Sequence, residues 1–182
     1  MEKFLRFGNI IVLVLTLVLV FIALDHFNYL PSKIFNDSDF DIEFIKSEND
    51  TDDDGVDDYT DILNGAREFV EQEPKYKSAY YSDGYPDDGY YVCTDVIWYA
   101  LQEAGYDFKT LIDEDIRNNK EDYDIDIQDT NIDFRRVRNI KVFLDKYTEK
   151  LTTDAKDVSA WQGGDIVVYE DHIGIVSDKR NG

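Results

Sequence analysis

The sequence predicts an α+β domain carried behind one N-terminal apolar helix. Three observations predict it. An uncharged aliphatic run lies near the N-terminus. Several segments carry apolar residues at helical spacing. Two β-rich runs joined by a tight turn come last, and helices followed by antiparallel strands suggest an α+β arrangement.

The apolar run extends from Phe7 to Leu24, eighteen residues without a charge. At a helical rise of about 1.5 Å it reaches roughly 27 Å, close to the thickness of a bilayer core. Lys3 and Arg6 precede it and Asp25 follows, so the positive-inside tendency predicts an outward-facing remainder. A cleaved signal peptide is the rival reading, but its hydrophobic region is usually shorter and ends in small residues. Here the run ends Phe21-Ile22-Ala23-Leu24-Asp25. Residues 1–25 therefore read as cytoplasmic tip and membrane anchor, and 26–48 as a stalk.

Residues 49–61 are acidic, with Asp50, Asp52, Asp54, Gly55, Asp58 and Asp61 at positions 1, 3, 5, 6, 9 and 12 of a calcium loop. Val56, at position 7, would offer its carbonyl. Calcium needs six to eight oxygens, and this spacing wraps them about one ion. The last ligand is Asp61 rather than the usual Glu, whose longer side chain more easily reaches the ion through both oxygens. A solvated acidic linker is the plain alternative. Tyr59, Ile62, Leu63, Ala66, Phe69 and Val70 then form one face of a helix that Pro74 stops.

The segment 75–92 is rich in Tyr, Gly and Asp and reads as loop. A second helix opens near Cys93, with Val96, Ile97, Ala100, Leu101 and Ala104 on one face, and Gly105 ends it. A third starts at about Asp107, with Phe108, Leu111, Ile112 and Ile116 apolar. Residues 118–131 read as acidic loop. A fourth helix covers about 137–147. The strands are Asp165-Ile166-Val167-Val168-Tyr169 and His172-Ile173-Gly174-Ile175-Val176-Ser177, with a turn at Glu170-Asp171. No internal repeat is seen.

Composition narrows the function classes. The chain of 182 residues carries 40 Asp+Glu against 19 Lys+Arg, a net charge of -21. Such a surface repels phosphate backbones, which argues against a nucleic-acid partner. One cysteine excludes an internal disulfide. One cysteine and two distant histidines supply no zinc cluster.

The lone thiol is the candidate nucleophile. At a helix N-terminus Cys93 faces unsatisfied N–H groups and the positive end of the helix dipole, and both favour thiolate. Its own N–H can serve an oxyanion. His172, at the start of a strand, is the candidate base, since His26 lies at the membrane edge. A buried structural cysteine and an exposed strand histidine are the plain alternatives. The Tyr-rich loop 80–91 offers to line a substrate groove, with Tyr91 bordering the thiol in sequence, or else to serve packing. Arg135 and Arg136 stand out in so acidic a chain and offer to bind a substrate carboxylate, or to pair with local acids.

Cys93-Thr94-Asp95 opening a helix, Gly164-Asp165-Ile166-Val167-Val168-Tyr169, and His172-Ile173-Gly174-Ile175-Val176, in this order, resemble the NlpC-type cell-wall hydrolases of papain-like fold. Asn131-Ile132-Asp133-Phe134-Arg135-Arg136-Val137, with Trp161 before the Gly-Asp pair, is similar to a bacterial branch of unassigned function. The resemblance spans about residues 60–178 and implies a papain-like hydrolase domain over 62–182. It implies an amidase or peptidase acting on peptidoglycan peptides, with Cys93 as nucleophile and His172 as base. Two departures stand against it. The usual Cys-Ser-Gly is Cys-Thr-Asp here, which brings Asp95 near the thiol. The third polar residue that orients the histidine is missing before Gly182, so the domain is expected to be truncated or to use Asp178 or a water; Asp171 should point to the other face of its strand. The alternatives are a non-catalytic, calcium-stabilised wall-binding module and an acyl transferase.

Overall fold

The computed structural model describes residues 2–27, 29–30 and 34–181. Of the expected anchor and stalk, Met1, Asn28 and residues 31–33 lie outside the described residues, as does Gly182 at the other end. The chain forms two compact units, 1–35 with 180–182, and 36–179.

In the first unit, α1 (Glu2–His26) is a single helix. Its segment Gly8–His26 is long and apolar enough to cross a membrane. A helix whose whole circumference is apolar offers no polar face to water. Strands β1 (Ile34–Asn36) and β6 (Lys179–Asn181) pair with each other.

The second unit begins earlier than the sequence predicts. Residues 36–48, expected as stalk, belong to it. The Ile45 backbone exchanges two hydrogen bonds with the Gln162 side chain, at 2.8 and 3.1 Å. The Ser47 N–H donates to Asp57 at 2.9 Å. Helix α2 (Asp58–Glu71) follows, capped by Asp57, which accepts from the N–H and hydroxyl of Thr60.

Segment 75–92 is not wholly loop. Strands β2 (Lys75–Tyr76) and β3 (Tyr90–Tyr91) pair in parallel. The turn between them is held by Asp88, which accepts from the Tyr81 hydroxyl, the Tyr90 N–H and the Lys77 ammonium.

Helices α3 (Asp95–Glu103), α4 (Phe108–Asn118) and α5 (Val137–Tyr147) match the predicted positions. Their apolar stripes meet in one core with Ile97, Ile112, Ile116, Phe134 and Ile140 fully buried. Burying each such side chain contributes roughly 1.5–3 kcal/mol. The acidic segment 118–131 is tied to this core through buried Tyr123 and Ile125.

Helices α2 and α3 pack closely at Gly65, where a Cβ would stand 2.8 Å from Glu103 Cγ and 3.0 Å from Ala100 Cα. The pair runs antiparallel: Asp58 meets Tyr106 beyond the end of α3, and Phe69 meets Tyr91 and Tyr99 near its start.

The final hairpin joins β4 (Ile166–Val168) to β5 (Ile173–Ile175) in antiparallel register, Ile166 opposite Ile175 and Val168 opposite Ile173. The Tyr169 N–H closes the turn on the His172 carbonyl at 2.8 Å. The β5 strand lies against α3, and Ile173 shares the core with Ile97.

The α+β class therefore holds, but the papain-like architecture is corrected. Among the described residues the strands form three separate two-stranded pairs and no larger sheet. Each strand is two or three residues long. Turn-forming Gly164-Asp165 and Glu170-Asp171 bound β4 closely, and helices supply most of the core.

Candidate active site and acidic loop

Cys93 stands one residue before Thr94, the N-cap of α3. The helix thus opens two residues later than the sequence suggests, because the Asp95 N–H turns back to the Val92 carbonyl at 2.9 Å. Cys93 is half-buried and packs against the main core. His172 immediately precedes β5 and is exposed. Its ring lies 6.4 Å from that of Tyr169. The helix after the thiol therefore packs on the strand after the histidine. Among the described residues no hydrogen bond joins the Cys93 thiol to the imidazole.

Asp95 is wholly buried, and the structure gives it a partner that sequence reading did not assign. Arg135 Nε donates to Asp95 Oδ1 at 2.7 Å and Nη2 to Oδ2 at 2.9 Å, a two-pronged pair with both side chains at most 1% exposed. The carboxylate also accepts from the Val92 N–H at 2.7 Å and the Trp98 indole N–H at 2.9 Å. Arg135 further donates to the Ala79 carbonyl at 3.1 Å and lies over the Tyr81 ring. The Thr94 hydroxyl donates to the Arg135 carbonyl at 3.0 Å. The residues on both sides of Cys93 are thereby fastened to the buried Asp95–Arg135 pair, Val92 through the Asp95 carboxylate and Thr94 through the Arg135 carbonyl. The charge that Asp95 brings near the thiol is neutralised within the protein.

This geometry removes Arg135 from substrate binding, because its fork is already used inside the core. The neighbouring motif residues are structural as well. Asp133 is fully buried and accepts from the Asp129 N–H at 2.7 Å, and Phe134 fills the core. Arg136 is 40% exposed, with a 3.6 Å contact to Asp133. It lines a groove of about 320 Å³ with Arg138, Asp124 and Asp126. A larger groove of about 560 Å³ lies between Tyr85, Trp98, Gln102 and Tyr106. Cys93 and His172 line neither. Tyr91 is half-buried, its ring edge-on to Phe69 at 5.0 Å. Asp178, offered by the sequence as a stand-in orienter, is paired with Arg67 through both oxygens.

A further polar centre was not anticipated. Buried Asp115 accepts from Lys146, Tyr123, Tyr147 and the Asn119 amide. Burial alone would raise its pKa, but these bonds outweigh it and bring the carboxyl down to about 2. The sequence signal was faint: Asp115 sits on the same turn as core residue Ile116.

The acidic loop folds around its own backbone. Asp50 accepts from the N–H groups of Asp54 and Gly55 at 3.1 and 2.9 Å, and Asp54 from that of Val56 at 2.8 Å. Gly55, with φ +94°, makes the turn a side chain would resist. Carboxylate oxygens of Asp50, Asp52 and Asp54 lie within 4.8 Å of one another. Asp61 sits in the first turn of α2, and burial together with the charges of Asp54, Asp52, Asp57 and Asp50 pushes its carboxyl up to about 6. Asp58, expected as a ligand, turns away: it accepts from the Thr51 N–H and hydroxyl and from the Tyr106 hydroxyl. The loop rests on the turn after α3, where a Cβ at Gly105 would stand 2.9 Å from Asp52 Cβ. Nine residues of α3 span about 13 Å, which separates this loop from the thiol at the other end.

Taken together, these features define an α+β protein with an N-terminal membrane-length helix and a lone thiol at the mouth of a core helix. The chain belongs to the family described as Domain of unknown function (DUF1287), whose model matches residues 63–182. The matched segment contains Cys93, Asp95, Arg135 and His172, and the acidic loop precedes it. This match corrects the resemblance to NlpC-type hydrolases: the short motifs around Cys93 and His172 occur here within a different family. The chain is similar to the Escherichia coli (strain K12) "Uncharacterized protein YijF", with 33% identity over 132 residues, 64% of this chain. It spans 63% of that relative's length. No solved structure matches it significantly.

Proposed function

We propose that the protein is a thiol-dependent amidase or peptidase held on the outer face of a membrane by α1, with Cys93 as nucleophile and His172 as base. The observation that carries the reading is the packing of α3 on β5, the helix that follows Cys93 and the strand that follows His172. His172 takes the thiol proton as Sγ attacks the carbonyl carbon, then returns it to the leaving amine. Water, deprotonated by His172, hydrolyses the thioester and regenerates the thiol. The Cys93 N–H, which has no acceptor among the described residues, is the donor for the oxyanion. Tyr91 and Arg136 are the residues proposed to contact substrate. Peptidoglycan peptides are the substrates to try first, since they are amide-rich and lie outside the membrane.

The full chain in detergent micelles, incubated with muropeptides, should release new amino groups, and Cys93→Ala should release none. Cleavage by Cys93→Ala at the wild-type rate would overturn the assignment. The second reading is a non-catalytic module. It is favoured by the lack of a thiol–imidazole hydrogen bond among the described residues and by the pairing of Asp178 with Arg67. Under it, Cys93 reacts with iodoacetamide at pH 6 no faster than free cysteine.

A further inference from the structure

We infer that residues 50–61 hold one calcium-type divalent cation through Asp50, Asp52, Asp54, the Val56 carbonyl and Asp61. Two independent observations carry this. The first is convergence: three carboxylates place an oxygen each within one 4.8 Å neighbourhood, the crowding expected where several oxygens share an ion. The second is Asp61. The residue is only 9% exposed. Its Oδ2 is buried and has no hydrogen-bond partner among the described residues. The charges of Asp54, Asp52, Asp57 and Asp50 act on it as well. A buried carboxyl oxygen with no donor lacks a positive partner.

Two of the loop's remaining acids are otherwise engaged. Asp57 caps α2 and Asp58 is bonded to Thr51 and Tyr106, so neither competes for the ion. Four carboxylates and a carbonyl supply at least five oxygens, and water completes the shell. A shell of that number and flexibility suits calcium; magnesium demands a tighter octahedron and keeps more of its water. Because Asp52 lies against Gly105, closing the loop on an ion also clamps the start of α2 to the turn after α3. The ion is thus a structural fastener, about one helix length from Cys93, and the inference stands whether or not the thiol is catalytic.

The test uses the chelator-treated full chain in detergent micelles, titrated with calcium chloride or magnesium chloride and followed by calorimetry and thermal unfolding. Calcium should bind one to one, with Kd in the range of about 10⁻⁴–10⁻³ M typical of extracellular modules. At a hundredfold excess over Kd the midpoint should rise by roughly 5–10 °C, with magnesium giving less than half of that. Asp52→Asn should weaken calcium at least tenfold. Asp61→Asn gives a signature that a damaged fold cannot: without calcium it should melt above wild type, because a buried carboxyl oxygen with no donor is gone, yet its calcium response should be lost. No heat and no midpoint change at 10 mM calcium would overturn the inference. So would a wild-type calcium response retained by both variants, which would put the ion elsewhere on the acidic surface.

Discussion

Replacing Arg135 by Met removes the cation from a pocket in which Asp95 is 0% exposed. The Asp95 carboxylate keeps the Val92 and Trp98 donors but loses both guanidinium bonds and all of its charge compensation. Breaking a buried pair from one side costs about 3–5 kcal/mol. That is a large share of the roughly 5–15 kcal/mol that holds a domain together. For a chain of this length each kcal/mol moves the melting midpoint by about 2–4 °C, so Arg135→Met should melt roughly 6–20 °C below wild type. Arg135→Lys should recover only part of the loss, since an ammonium cannot reproduce the two-pronged geometry.

The double variant Asp95→Asn with Arg135→Met removes both charges and leaves an amide oxygen for the Val92 and Trp98 donors. It should therefore be more stable than the sum of the single changes implies, with a coupling of at least about 2 kcal/mol. Urea unfolding followed by Trp98 fluorescence reports directly, because the indole is bonded to Asp95. An Arg135→Met variant within about 1 kcal/mol of wild type, or single effects that simply add, would refute the claim that this pair organises the chain around Cys93.

Two further outcomes are expected. The Asp115 carboxyl is held at about 2 in the folded protein against an ordinary 3.8. Its contribution, on the order of 2 kcal/mol, is therefore complete above about pH 4 and fades as the pH falls toward 2. Acid unfolding of Asp115→Asn should lack that part of the slope, and matching wild-type and variant curves would count against the bonding described. Gly65→Ala should destabilise by about 1–2 kcal/mol although Ala favours helix by nearly 1 kcal/mol, because the new methyl meets the backbone of Ala100. A gain in melting temperature would mean that α2 and α3 can part without cost.

Much of the fold was legible in the sequence because its signals are local. Apolar residues at helical spacing marked α2 to α5, Pro74 and Gly105 marked the ends of α2 and α3, and the two β-rich runs marked the β4–β5 hairpin. The residues with candidate chemistry, Cys93 and His172, were also legible, as was the spacing of the acidic loop. The family was not. Short motifs of Cys-Thr-Asp, Gly-Asp and His-Ile-Gly type reflect helix starts and hairpin edges that different families share, and here they suggested a sheet larger than the paired strands that form.

By itself, then, the sequence determined the membrane-length helix, the order of helices and hairpin, the exclusion of disulfides and the excess of acid. Tertiary structure alone decided the use of those residues. Arg135 reads as a free cation until folding brings it, across 40 positions, to Asp95. Asp58 reads as a ligand until Tyr106 reaches it from the end of α3. Asp61 reads as the last position of the acidic loop until folding buries its Oδ2 without a donor. The physical reason is that periodicity and turn chemistry act over a few residues, whereas charge pairing and desolvation depend on which distant surfaces the packed helices bring together.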